Sequence, residues 1–263
     1  MIVCRSSAEI EKLRRVNQLV GRILTELRQM VVSGVTTEEI DGAAEALVRQ
    51  AGAEPAFKGY QGFPATVCAS VNEQVVHGIP SVRQLVEGDV LSLDMGAKLD
   101  GFYGDCAVTV PVGRVSTETA RLLRVTETAL FHGIEAVKPG ARVSDIGAAV
   151  QAHVEAHGFS VVREFVGHGI GTSLHEEPQI ANYGPADRGP RLAEGMALAI
   201  EPMVNAGDAA VKVLSDGWTA VTRDGSLSAH FEHSVVVADG GYEILTLLDA
   251  DAARTRELLA ISG

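Results

Sequence analysis

The chain has 263 residues, which suffices for one large domain or two small ones. Apolar residues make up 46% and charged residues 21%, as in ordinary globular proteins, and the formal net charge is −12 at pH 7. This acidic balance argues against a DNA or RNA binder, and three cysteines without a CxxC pair argue against a disulfide framework or a thiolate zinc site.

Two pairs of helices are predicted, and each pair is followed by strands. Ser6 and Thr36 each begin a capping-box pattern, which predicts helix starts there and an end of the second helix near Ala51. Residues 117–137 and 144–157 repeat the helix–break–helix arrangement.

The repeat extends to individual residues. Six residues of the first region recur 106 positions later: Gly34, Ile40, Ala43, Ala46, Val48 and Gly52. Two related halves, roughly 1–113 and 114–263, are therefore expected within one domain that spans 1–263.

Residues 89–113 are predicted to form a β-hairpin with Asp100 and Gly101 at its turn. Asp94 and Asp105 lie on opposite arms, and any loop with an even number of residues places both on one face. The other face of the hairpin is apolar. The hairpin alone leaves two interpretations open, because each aspartate could also be a solvated strand residue.

Two later stretches, 196–204 and 227–238, are also predicted as strands. Alternation places Glu201 on the small-residue face of the first, and Glu232 on a face that it shares with His230 in the second. Because helices and hairpins come in blocks rather than in βαβ order, the pattern favours an α+β fold.

Four acids thus stand on polar or small-residue faces of strands whose other faces are apolar. Four carboxylates and a histidine form the hard oxygen and nitrogen ligand set of a pair of divalent transition ions. The glycine-rich stretch GHGIGTSLHEEP at 167–178 carries two histidines, but its glycines and proline exclude a zinc-protease helix. We interpret the acids as metal ligands rather than as unrelated surface carboxylates.

The sequence resembles the bacterial type I methionine aminopeptidases, which have the pita-bread fold. The resemblance extends from the first helix to about residue 248. Its motifs are VNEQVVHGIP (71–80), SLDMGAKLDGFYGDCAVT (92–109), GHGIGTSLHEEP (167–178), LAIEPM (198–203) and FEHSVVV (231–237). It implies two pseudo-symmetric halves, each with a helix pair packed on a mainly antiparallel curved sheet.

The resemblance implies a single catalytic domain that removes the initiator methionine from nascent proteins with a small second residue, by a metal-bridging hydroxide. Two divalent ions, of Co, Mn, Fe, Zn or Ni, would be held by Asp94, Asp105, His168, Glu201 and Glu232. In this scheme Asp105 and Glu232 bridge the ions and Glu201 transfers the proton of the water. His175 would donate to the substrate carbonyl, and His77 would contact the scissile nitrogen. The remaining histidines are expected at structural or surface positions: His132, His153, His157, His230 and His233.

An apolar pocket for the methionine side chain is also implied. Its residues would be Phe57, Tyr60, Phe63, Cys68, Leu174 and Trp218. Phe57 and Leu174 differ from the commonest family residues, which are Cys or a small residue at the first position and Phe at the second.

The implied partners are the N-termini of nascent polypeptides, with transient ribosome contact. Segment 205–225 contains only Lys212 and Arg223 as cations, so strong electrostatic ribosome binding there is not expected. Without a signal-peptide pattern or an apolar run of about 18 residues, we expect a cytoplasmic monomer with no membrane partner.

Two alternatives share the fold. One is an Xaa-Pro aminopeptidase or prolidase-like enzyme, which usually carries a separate N-terminal domain. The other is a non-catalytic binding module, which would not need all five ligands.

Overall fold

The computed structural model describes residues 1–248, so residues 249–263 of the predicted domain and second half lie outside the described residues. Its helices are α1 Ser7–Met30, α2 Thr37–Gln50, α3 Thr117–Glu135 and α4 Val143–Ala156. Both predicted capping boxes are present: Ser6 and Thr36 accept the backbone N–H groups of Glu9 and Glu39, whose carboxylates accept the cap N–H groups in return. Local capping thus fixes both helix starts in the first half.

The strands form one large sheet and two small ones. They are β1 Glu54–Pro55, β2 Val67–Val71, β3 Gln74–Val76, β4 Val90–Leu99, β5 Phe102–Pro111, β6 Ser160–Val161, β7 Gly167–Gly169, β8 Glu176–Ile180, β9 Ala197–Ile200, β10 Met203–Asn205, β11 Val211–Val213, β12 Ala220–Thr222, β13 Ser228–His230, β14 Glu232–Ala238 and β15 Gly241–Ile244. The large sheet has the order β1-β4-β5-β14-β9-β7-β8, with β2 beside β4 and β15 beside β14. The small sheets have the orders β13-β10-β6 and β11-β12-β3. The assigned strand pairs are antiparallel.

The two halves meet where β5 pairs with β14, at the middle of the large sheet. Outward from this pair, β4 corresponds to β9, and β2 corresponds to β7. Gly34 and Gly140, 106 positions apart, both have positive φ angles, of 95° and 87°, and donate to Leu85 O and Leu192 O. The predicted α+β fold with pseudo-symmetric halves is confirmed, whereas the assignment to a single domain stays a prediction.

The helices cover one face of the large sheet. α1 packs on β4 and β5, and α3 packs on β9 and β14. The apolar hairpin face, with Leu91, Leu93 and Met95 at 0% exposure, lies in this core. The opposite face is therefore the one on which polar side chains can form a site. No helix within residues 1–248 is long and apolar enough to cross a membrane.

The stretches 196–204 and 227–238 were each expected to be one strand, and each forms two. β9 and β14 belong to the large sheet, while β10 and β13 pair in a small one. Pro202 has no N–H group for a ladder, and its carbonyl accepts from Phe231 N at 3.4 Å, so the two breaks lie opposite each other. The chain therefore leaves the large sheet at Glu201, close to the polar face of the hairpin.

Candidate metal centre and substrate cavity

The β4–β5 hairpin places two carboxyl groups side by side. Leu99 pairs with Phe102, so the turn has two residues, and both Asp100 and Gly101 adopt positive φ angles. Asp94 pairs with Ala107 and Asp105 with Gly96, which makes the aspartates diagonal neighbours on one face. The alternation argument therefore holds, and both carboxyl groups lie on the same face of the hairpin.

Neighbouring strands add three further groups. Glu232 comes from β14, beside β5, and His168 comes from β7, where it pairs with Ala199. His168 Nε2 lies 3.5 Å from Glu201 Oε1 and 4.0 Å from Asp105 Oδ2. Ligand atoms of Asp105, His168 and Glu232 all lie within 4.8 Å of one another. The sheet thus brings the five predicted ligands to one place.

These carboxyl groups lack the partners that buried charges require. Within the described residues, Asp94 Oδ1, Asp105 Oδ1 and Glu232 Oε1 are buried without a hydrogen-bond partner. Burial raises the pKa of Asp94 to about 7. Burial, followed by neighbouring carboxylates, raises the pKa values of Asp105, Glu201 and Glu232. Because uncompensated buried carboxylates are costly, this oxygen-rich cluster with one imidazole fits divalent cations.

His168 is held in the tautomer that a metal ligand needs. Its Nδ1 lies 2.9 Å from Gly169 O, so Nδ1–H donates and the Nε2 lone pair faces the carboxylates. Burial lowers the pKa of His168 to about 4, which keeps the ring neutral. A Cβ atom on Gly167 would lie 2.3 Å from Ala199 O, and one on Gly169 would lie 2.3 Å from Glu177 O. The glycines around His168 therefore allow close strand packing.

His175 stands beside this cluster on a braced loop. Its ring centroid is 4.3 Å from that of His168, and its Nδ1 is 2.8 Å from Tyr60 Oη. When the Tyr60 hydroxyl donates to Nδ1, the ring proton sits on Nε2. Glu176 accepts from Ser173 N and forms an ion pair with the buried Arg5. The first residues of the chain thus support the His175 loop.

His77 and His230 lie on another side of Glu201. His77 has a φ of 60°, an uncommon conformation for a residue other than glycine, and its ring meets Phe165 edge-on at 5.3 Å. Burial lowers the pKa of His77 to about 4 and that of His230 to about 3. His230 is 2% exposed, and its Nε2 lies 3.8 Å from Glu201 Oε2.

Of the five histidines expected at structural or surface positions, His230 is buried and lies beside the carboxylate cluster. Alternation along the strand placed the His230 ring on the same face as Glu232. The approach of His230 to Glu201 was not predictable, because it depends on a break in the strand after β9 that the sequence pattern did not show. The other four histidines of that group lie elsewhere: His233 is half-buried beside Cys106 and Thr246, and His132, His153 and His157 stack on one another at α3 and the C-terminal end of α4.

A cavity of about 200 Å³ joins the metal cluster to the expected pocket. All six predicted pocket residues line it, together with His77, His175 and the five predicted ligands. Phe63 and Trp218 meet edge-to-face at 5.2 Å, and Cys68 pairs with Asp94 across β2 and β4. The apolar wall therefore directly adjoins the carboxylates. Gln61, which sequence reasoning missed, also lines the cavity.

The sequence matches the family model of the metallopeptidases called M24 over residues 11–239, which is most of the chain. The chain belongs to metallopeptidase family M24. Members of this family use metal ions to hydrolyse peptides, so the cluster of Asp105, His168 and Glu232 is the candidate metal centre of an M24 peptidase.

Within this family, the chain is similar to methionine aminopeptidases over nearly its whole length. The M24 chain is 50% identical over 246 residues to methionine aminopeptidase 1 of Bacillus subtilis, covering 94% of this chain and 99% of the relative. A crystal structure of methionine aminopeptidase from Rickettsia prowazekii superposes with a TM-score of 0.93 at 42% identity, covering 94% of this chain and all of that one.

The prolidase from Pyrococcus furiosus shares the fold, with a TM-score of 0.78 at 21% identity. This M24 chain covers 94% of its own length in that comparison and 66% of the prolidase. The likeness to the prolidase supports the pita-bread fold and does not indicate which substrate this chain uses.

Proposed function

We propose that this M24 enzyme is a methionine aminopeptidase that removes the initiator methionine from nascent proteins with a small second residue. One observation carries the proposal: an apolar pocket opens directly onto a buried cluster of four carboxyl groups and an imidazole. A flexible thioether side chain suits such a wall of aromatic rings. The similarity to methionine aminopeptidases over nearly the whole chain supports the same activity.

Two divalent ions, of Co, Mn, Fe, Zn or Ni, fit the ligand set better than one. The five side chains offer nine oxygen or nitrogen atoms at most, and Asp105 and Glu232, which stand on the paired central strands, would each contribute to holding both ions. When bound, the ions supply Lewis-acid polarisation of the substrate carbonyl and lower the pKa of the attacking water.

Glu201 is the proposed proton carrier. Its Oε1 faces His168, while its Oε2 faces the side of the cavity that His77 and His230 line. Oε2 would accept the proton of the attacking water and deliver it to the leaving nitrogen. His77, on the same side, would contact that nitrogen and hold the scissile bond in place.

His175 is the proposed donor to the developing oxyanion. Tyr60 fixes its tautomer so that Nε2–H is available, and the Arg5–Glu176 pair holds its loop. One such donor contributes about 100- to 1,000-fold to kcat in comparable sites.

A second cavity of about 130 Å³ extends from the same groups beyond the pocket. Val76, Phe165 and Val166 line it next to His77. These side chains would leave room for only a small second residue of the substrate, which is the basis of the proposed sequence preference.

The proposed partners are nascent N-termini, met in the cytoplasm by a monomer during transient ribosome contact. Lys212 is exposed, while Arg223 Nε is bonded to Val211 O at 2.9 Å. Because segment 205–225 has so few cations, it would support a brief electrostatic contact with the ribosome but not a strong one.

The test is release of free methionine from Met-Ala-Ser by chelated protein that is titrated with Mn²⁺ and with Co²⁺. Metal-dependent release, with no action on Ala-Pro-Ala, is the expected result. Cleavage of Ala-Pro-Ala alone would favour the prolidase-like alternative. Binding of metal without hydrolysis of either peptide would favour the non-catalytic module.

A further inference from the structure

The two oxygens of Glu201 face two different histidines. Oε1 lies 3.5 Å from His168 Nε2, and Oε2 lies 3.8 Å from His230 Nε2. Glu201 follows the last residue of β9 and precedes Pro202, so its backbone leaves the ladder that would otherwise hold it. A carboxylate at the end of a strand needs a second contact to keep each oxygen in its own direction.

His230 is well placed to provide that contact. It is the last residue of β13. Thr109 Oγ1 accepts a hydrogen bond from its backbone N–H and donates one to its carbonyl, both at 2.8 Å. Its side chain is 2% exposed, and Nε2 has no hydrogen-bond partner within the described residues. The ring lines the second cavity together with Glu201 and His77. A firmly held backbone thus presents an unpartnered buried donor to one oxygen of Glu201.

We propose that His230 is a positioning residue, whose Nε2–H donates to Glu201 Oε2. The contact of 3.8 Å exceeds a hydrogen bond of about 3.0 Å by less than one ångström, which a small rotation of the Glu201 side chain removes. The bond would hold Oε1 toward His168, where a metal ion would be bound, and keep Oε2 on the side of the second cavity. The effect of His230 on catalysis rests on the function proposed above for Glu201.

The alternative role for a buried imidazole is to bind a metal ion itself. Among the described carboxylates, only one, that of Glu201, lies within 4.0 Å of a His230 ring nitrogen, and the contact of His230 is with a ligand side chain rather than with the group formed by Asp105, His168 and Glu232. Its nearest charged neighbour is Glu201, on the oxygen opposite to the one near His168. The geometry therefore points to support of a ligand rather than to ligation.

The experiment compares the wild type with H230Q, which keeps an N–H donor, and H230L, which keeps bulk without one. The matched control is S228A, two residues earlier on β13, where Ser228 bonds Asn205 and Val204. Each metal-free protein is titrated with Co²⁺, whose visible absorption reports the geometry of its ligands. The kcat and KM values for Met-Ala-Ser and the thermal unfolding midpoint are measured in parallel.

H230L is expected to lower kcat or Co²⁺ affinity by about 10- to 100-fold and to change the Co²⁺ spectrum, with KM nearly unchanged. H230Q should restore most of the activity and the wild-type spectrum, and S228A should match the wild type in both.

Two outcomes would overturn the proposal. One is a wild-type spectrum and kcat in H230L, and the other is an equal loss in H230Q and H230L, which would indicate volume rather than donation. A wild type that leaves Met-Ala-Ser intact would refute the proposed function separately, because the Co²⁺ titration still reports on His230.

Discussion

The two halves of the molecule share their framework and differ in their strands. α2 and α4 follow glycines of positive φ that are 106 positions apart, and the N–H groups of these glycines donate to Leu85 O and Leu192 O in the segments that precede β4 and β9. The first half continues into an uninterrupted hairpin, whereas the second half interrupts the corresponding strands at Pro202 and Phe231. The repeat is therefore kept where it supports the fold and lost where it borders the cavity.

This difference separates two tasks. Four of the six pocket residues come from the first half, whereas the histidines that line the two cavities come mainly from the second: His168, His175 and His230, with His77 from the first. The continuous strands of the hairpin hold the two short aspartates in fixed places. The breaks at Pro202 and Phe231 place Glu201, Glu232 and His230 beside the same cavity. We infer that the first half mainly sets side-chain selectivity and the second mainly supplies proton transfer and hydrogen-bond donors.

The largest effect is expected at Asp105, where the halves meet. Asp105→Asn keeps the shape of the side chain but removes an anionic ligand, so metal affinity should fall by at least about 100-fold and methionine release should approach background. Calorimetric titration with Mn²⁺ and the peptide assay measure both.

Asp100→Asn is the matched control on the same hairpin, because Asp100 is at the exposed turn and an asparagine tolerates its φ of 51°. Unchanged metal affinity in Asp105→Asn would contradict a shared site between the halves.

His175→Ala tests the chemistry attributed to the second half. Loss of the oxyanion donor should lower kcat by about 100- to 1,000-fold while Mn²⁺ affinity stays at the wild-type value. Tyr60→Phe, which removes the hydroxyl bonded to Nδ1, should cause a smaller loss of kcat. A parallel loss of metal in His175→Ala would show that His175 is not separate from the metal site.

Phe63→Leu tests the selectivity attributed to the first half. The substitution removes the edge-to-face contact with Trp218. The kcat/KM for methionine peptides should fall by about 10- to 200-fold, mostly through a higher KM, which corresponds to a loss of about 1–3 kcal/mol of transition-state binding. The control is Phe131→Leu, a core residue near His233 on the other face of the sheet. If Phe63→Leu changed kcat alone, the pocket would not be the place where selectivity is set.

The smallest effect is expected in the shared framework. Thr36→Ala removes the side-chain cap of α2 and should lower the free energy of unfolding by about 1 kcal/mol, a shift of roughly 2–4 °C in Tm. Calorimetry measures the shift, and kcat and KM should both stay at wild-type values. A kinetic change would mean that the helix pair affects the cavity directly.

Features set by neighbouring residues were predictable from the sequence. The caps at Ser6 and Thr36 and the turn at Asp100 depend on a few adjacent residues, and alternation along two paired arms placed Asp94 and Asp105 on one face. The resemblance then supplied the roles of the ligands and outer histidines, which remain predictions.

Contacts between distant segments were not predictable from the same patterns. The bond between Tyr60 and His175 joins residues 115 positions apart, and the approach of His230 to Glu201 depends on two strand breaks that face each other. Alternation assigns a face to a side chain, but it contains no information on which remote strand lies beside it.

Arg5 shows how far the catalytic apparatus extends toward the start of the chain. Its buried guanidinium lies against Gly171 and pairs with Glu176, which steadies the turn that carries His175. Arg5 thus supports the turn that carries His175 from a distant part of the chain. A shortened version that begins after Arg5 would keep all of the proposed substrate-contacting side chains, and we expect it to have a lower kcat because the His175 turn would lose that anchor.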